Sequence, residues 1–174
     1  TAFYLELSRQ AEARLYSRDA KTWLIRFDEE LANVRTILAR ADSETALDLT
    51  VNLTGFWASR GLHREVRDYL TNFLDIVAAK SSSLYVKGLY TLADVAWFQG
   101  DFGEAKLHLE RALALARKID DKHVLSRVLG LLARIYQYNY SDYGQARILY
   151  EECITLADSV GNQKNKASAL NLMA

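Results

Sequence analysis

The chain has 174 residues, half of them hydrophobic and 11% aromatic, and its 22 basic and 22 acidic side chains cancel to zero net charge. That is enough apolar material for a core, which excludes a disordered chain, and it leaves no basic excess for neutralising phosphates, which argues against direct nucleic-acid binding. Proline is absent and glycine occurs eight times, a composition suited to helix nearly throughout. Apolar runs such as Leu129 to Ala133 are far too short to span a bilayer, so no membrane segment is expected. No signal peptide is seen, and a cytoplasmic location is expected. The first residue is Thr1, which reads as an excised piece of a longer protein. The single cysteine, Cys153, excludes an internal disulfide, and His63, His108 and His123 have no metal-ligand spacing with it or with each other. Neither a metal nor a cofactor is expected.

In chain order, Tyr4, Leu7, Ala11 and Leu15 share one helical face, and Ser17-Arg18-Asp19 closes the segment with Asp19 as the next N-cap. The second helix carries Leu24, Phe27, Leu31, Val34, Leu38 and Ala41 at spacings of three and four, and Asp42-Ser43 opens the third. Further breaks fall at Gly61, Ser81-Ser82-Ser83, Gly100-Asp101, Asp120-Asp121, Ser141-Asp142 and Gly161-Asn162. The pattern predicts about nine helices with short connections, hence antiparallel neighbours, and no strands.

The segments repeat. Leu92-Ala93-Asp94-Val95-Ala96-Trp97-Phe98-Gln99-Gly100-Asp101-Phe102-Gly103-Glu104-Ala105 aligns with Leu132-Ala133-Arg134-Ile135-Tyr136 and the following Asp142-Tyr143-Gly144-Gln145-Ala146. A diverged earlier copy has Leu53, Thr54, Trp57, Gly61, Val66, Leu70 and Phe73, and another begins at Ala169, Leu170, Met173 and Ala174. The spacing is roughly 39 to 41 residues against about 34 in the standard repeat. This order of large, small and aromatic residues, a turn glycine, and then alanines on the second helix resembles the tetratricopeptide repeat. The resemblance implies an all-α fold, a right-handed α-α superhelix of helix pairs. The expected division is a helical segment at 1–42 linking to an upstream domain, then repeats at 43–80, 81–120 and 121–161 and a truncated one at 162–174.

Residues Trp23, Leu24, Phe27, Glu30, Asn33, Val34, Arg35 and Leu38 resemble a segment of large bacterial signal-transduction ATPases of the STAND type, including LuxR- and AfsR-like transcription regulators. There the segment leads from the nucleotide-binding core into the repeats. No Gly-x-x-x-x-Gly-Lys-Ser/Thr motif exists in this chain, so an ATPase must lie outside it.

Asp28, Glu29 and Glu30 are consecutive on a helix and cannot converge on a metal, whereas Glu30 and Asn33 can share a face. Cys153 occupies an alanine slot and reads as a buried small residue. In tetratricopeptide arrays the first helix of each pair lines a groove. By phase, the groove residues here are Lys87, Tyr90, Asp94, Trp97, Phe98, Arg127, Gly130, Arg134, Gln137 and Tyr138, with Asp48, Val51, Gly55, Ala58 and Ser59 in the earlier pair. The aromatic residues among them serve either as packing or as a ligand-facing surface. Gly55 and Gly130 sit mid-helix at about 1 kcal/mol each relative to alanine, for close approach by a ligand or helix or by drift. No nucleophile–base pair, paired-carboxylate motif or phosphate loop points to an enzyme. The expected function is a sensor region binding a protein, peptide or small effector and coupled to the upstream ATPase; the alternative is a scaffold for a partner protein without an ATPase. A homodimer through Leu170 and Met173 is the third expectation.

Overall fold

The computed structural model describes residues 1–77 and 82–173. Ser81 of the serine break, the 80/81 repeat boundary and Ala174 of the last copy lie outside the described residues. Among the described residues every regular element is a helix, and there are ten: α1 (Ala2–Arg14), α2 (Ala20–Leu38), α3 (Ser43–Asn52), α4 (Thr54–Ser59), α5 (His63–Val77), α6 (Ser83–Phe98), α7 (Phe102–Ile119), α8 (Lys122–Asn139), α9 (Tyr143–Ser159) and α10 (Gln163–Met173). They form two compact units, Thr1–Lys80 and Ser81–Ala174.

The extra helix arises because the third expected helix breaks at Leu53. Two side chains take carbonyls that a continuous helix would use. The Trp57 indole N–H donates to the Thr50 carbonyl at 3.0 Å, and the Thr54 hydroxyl donates to the Val51 carbonyl at 2.5 Å. With those acceptors satisfied, the backbone turns at Leu53 (φ −94°, ψ 15°) and restarts as α4. The turn delivers Phe56 and Trp57 into the core of the first unit, where Phe56 lies 5.8 Å from Phe27 of α2. Val66, Leu70 and Leu74 of α5 are buried there too.

Polar pairs tie α2 to its neighbours. Glu30 accepts from the Tyr4 hydroxyl at 2.5 Å and from the Asn33 amide at 2.7 Å. Arg35 grips Glu65 through two bonds of 2.7 Å, and Arg60 holds Asp28. Asp28 and Glu30 thus turn to different partners, and Glu30 and Asn33 share a face as their spacing requires. Asp19 begins α2, but its side chain makes no capping bond because it pairs with Arg14 at 2.9 Å.

In the second unit, α6 and α7 form one antiparallel pair and α8 and α9 the next, with α10 against α8 and α9. The small residues sit where the helices approach: Ala93, Ala105, Ala112, Ala133, Ala146 and Cys153 are all buried. Tyr150 is buried with them, whereas Tyr136 is only half-buried and cradles Lys106. Helix starts are capped by Ser82, Asp121 and Asp142, each accepting from the backbone N–H three residues on. At Gly100 the chain takes φ 85°, which lets the Asp101 N–H reach back to the Ala96 carbonyl at 2.9 Å.

Candidate functional site

Helices α6 and α8 pack side by side as the first members of consecutive pairs. Tyr90, Asp94, Trp97, Phe98, Arg127 and Arg134, all expected binding residues, interact with one another. The Arg134 guanidinium lies 4.1 Å over the Trp97 ring, and Arg127 lies 4.6 Å over Tyr90. Such cation–π contacts fix the two arginines against α6. Burial pushes the Tyr90 hydroxyl above its usual range, Asp94 pushes it further, and Arg127 and Arg134 oppose both. Tyr90, Asp94, Arg127 and Arg134 therefore share one electrostatic environment. Phe98 meets Trp97 edge-on at 5.1 Å and remains 55% exposed.

Tyr138, one turn beyond Arg134, is 59% exposed, so its ring is open surface rather than packing. The Arg134 Nε is buried and has no hydrogen-bond partner.

Two expected residues also have partners of their own. The Gln137 amide donates to the Leu172 carbonyl at 3.0 Å and accepts from the Tyr150 hydroxyl at 3.0 Å, which makes it a brace between α8, α9 and α10. Burial, and then the neighbouring Tyr138, push the Tyr150 phenol up to about 12. Lys87 acts on Asp121. Burial opposes ionisation of that carboxyl, but bonds from Ser83 and the Val124 N–H and the charges of Lys87 and His123 bring it below the usual range.

The glycines meet packed neighbours, one of the alternatives expected of them, and residues of the earlier pair have partners of their own. A Cβ on Gly130 would meet Cys153 Sγ at 3.4 Å and Asn165 Oδ1 at 3.6 Å, so this position faces α9 and α10. Gly55 lies against Leu15 and Tyr16, Asp48 pairs with Arg9 at 2.8 Å, and Val51 is buried. Gly55 and Asp48 thus serve contacts with α1 and the turn that follows it.

Sequence reasoning missed Asn139, which accepts from the Trp97 indole N–H at 3.2 Å and holds the ring in place. It also missed Lys164 on α10, whose ammonium is pushed down by burial and by Arg127 nearby. Neither carries a local signal, since each acts through a partner on another helix. Cys153 is a packing residue with a polar tie. It donates to the Ser126 carbonyl at 3.1 Å, Asn165 bonds to Ser126 Oγ at 3.2 Å, and burial pushes the thiol up to about 11.

The arrangement offers fixed cations beside exposed aromatic rings, which suits holding and stacking. Among the described residues no group of three or more His, Cys, Asp or Glu could hold a metal ion, and no helix is long and apolar enough to cross a membrane.

Comparison with known proteins agrees with this architecture. Two crystal structures of putative kinesin light chain TPR-like repeats from Podosopora anserina, one of them a single-substitution variant, are 18% identical over 98% of this chain, with TM-scores of 0.64 and 0.65; 85% and 84% of those chains are covered. BtubC (BKLC) from P. vanneervenii is 14% identical over 99% of this chain and 87% of its own, with a TM-score of 0.64. At these identities the likeness is one of fold. No curated protein sequence matches. The model of the tetratricopeptide repeat family matches residues 85–174, more than half of the chain, and the protein belongs to that family.

Proposed function

We propose that this chain is a binding module whose α6–α8 face receives an effector peptide, protein or small molecule, with no catalytic role of its own. The observation that carries this is the Arg134–Trp97 stack with exposed Phe98 and Tyr138 around it. In the intact protein the face serves as the sensor of a bacterial signalling ATPase that regulates transcription. The support for that context is the pattern Trp23, Leu24, Phe27, Glu30, Asn33, Val34, Arg35 and Leu38. On this reading residues 1–42 link to the ATPase and 43–174 carry the repeats. Binding regulates only if the effector prefers one state of the ATPase over the other.

A second reading is a scaffold that holds a partner protein without any ATPase, and membership of the repeat family favours it as much as it favours the sensor. A parent gene without a nucleotide-binding domain decides for the scaffold. Pairing of two copies is a third arrangement, motivated by exposed Leu170 and Met173 on α10; a strictly monomeric sedimentation profile at high concentration rejects it.

The test of the binding face is a thermal-shift screen against metabolites and peptides. Hits are expected to vanish in Arg134→Ala and persist in Arg147→Ala, a 75% exposed control on α9. Hits that survive Arg134→Ala place the binding surface elsewhere.

A further inference from the structure

We infer that Arg134 is the anchor for a small, monoanionic carboxylate bearing an aromatic or apolar ring, an assignment that rests on the binding reading above. Arg127 and Arg134 are not equivalent. Both stack on an α6 ring, but only Arg134 has a buried Nε with no hydrogen-bond partner. A buried donor left unmet is costly, and an incoming oxygen removes that cost once the guanidinium swings out to meet it. The Nε edge of a guanidinium matches the two oxygens of a carboxylate side-on.

Charge narrows the class. Asp94 acts on the same Tyr90 hydroxyl as Arg127 and Arg134, so a dianionic phosphate would meet an opposing carboxylate. A monoanion meets less of it. Tyr138 follows Arg134 by one helical turn and is 59% exposed, and Phe98 is 55% exposed beside Trp97. A ring attached to the carboxylate finds apolar surface there.

An extended peptide fits less well. Its backbone N–H and C=O groups need partners along the path. The Gln137 amide at this end of α8 is already spent on Tyr150 and the Leu172 carbonyl, and the Asn139 amide oxygen is taken by Trp97. The neighbours leave a site for one anion and one ring.

The test is a nuclear magnetic resonance titration of the full chain, following the Arg134 Nε–H and Trp97 indole N–H signals. Phenylacetate is compared with phenylacetamide, which has nearly the same shape and no charge, and with a Glu-rich peptide. Arg134→Lys assigns the Nε–H signal by removing it. The expected result is saturable movement of both signals by phenylacetate, with phenylacetamide binding at least about 10-fold more weakly, the factor a charge-assisted bond carries. Arg134→Met, which keeps an apolar stem, is expected to abolish the phenylacetate response while melting as a folded protein. Equal titration by acid and amide overturns the inference. Movement by the peptide alone overturns the inference and leaves the binding face standing; a screen hit that binds on α7 or α9 with these signals still overturns both.

Discussion

Gly55 and Gly130 carry the same residue type and opposite expectations. An interior helical glycine costs about 1 kcal/mol relative to alanine. At Gly130, near the middle of α8, an added Cβ sits 3.4 Å from Cys153 Sγ and 3.6 Å from Asn165 Oδ1, ordinary contact distances. Gly130→Ala should therefore recover most of the helical cost, about 1 kcal/mol, and raise Tm by about 2–4 °C for a chain of this size. At Gly55 the added Cβ sits 3.1 Å from Leu15 Cβ and 3.2 Å from the Tyr16 ring. The exposed tyrosine ring can swing away, but Leu15 Cβ is fixed to the backbone just past α1. Gly55 is also the second residue of the short α4, where the helical gain is smaller. Overpacking of this kind costs about 1–3 kcal/mol, so Gly55→Ala should lower Tm. Melts followed by circular dichroism read both. Equal stabilisation by the two substitutions would refute the reasoning, because only the contacts distinguish them.

Native Cys153 should resist thiol reagents at about pH 8, since burial holds the thiol near 11, and should label quickly only in urea; fast labelling of folded protein contradicts its placement. Asp121→Ala removes the cap on Val124 N–H and the Ser83 contact and should cost about 1 kcal/mol, whereas Asp19→Ala, which loses only an exposed pair with Arg14, should cost a few tenths at most (~0.3 kcal/mol); denaturant melts compare them. Asp28, Glu30 and Glu65 are held below the usual carboxylate range by bonds from Arg60, Tyr4 and Arg35, respectively. A depressed carboxylate stabilises the fold in full above its unfolded value, roughly pH 4, and loses that contribution as pH falls through its folded value. Acid melts should show this loss below about pH 5, and Glu65→Gln should flatten part of it; an unchanged profile argues against the Arg35–Glu65 pair.

The repeat was legible because its determinants are local. Turn residues and small residues recur at fixed offsets, so Gly100, Asp121, Ala93 and Ala133 announce themselves one segment at a time. The Leu53 break was not legible, because it needs the Trp57 indole and the Thr54 hydroxyl to take two carbonyls from a sequence that otherwise reads as continuous helix. In the candidate site, helical phase alone brought Tyr90, Trp97, Arg127 and Arg134 to one place. It does not name the partners of Gln137 and Gly130, because Leu172, Tyr150, Cys153 and Asn165 lie on other helices. Phase tells which way a side chain leaves its helix; it does not tell what the neighbouring helix brings to meet it.

The proposed function has the α6–α8 face bind an effector. Its most direct test is to map a screen hit onto the chain by chemical-shift perturbation. The largest changes are expected at the Arg134 Nε–H, the Trp97 indole N–H and Tyr138. Changes centred instead on exposed Leu107 of α7 and Ile148 of α9, with those three still, would contradict it.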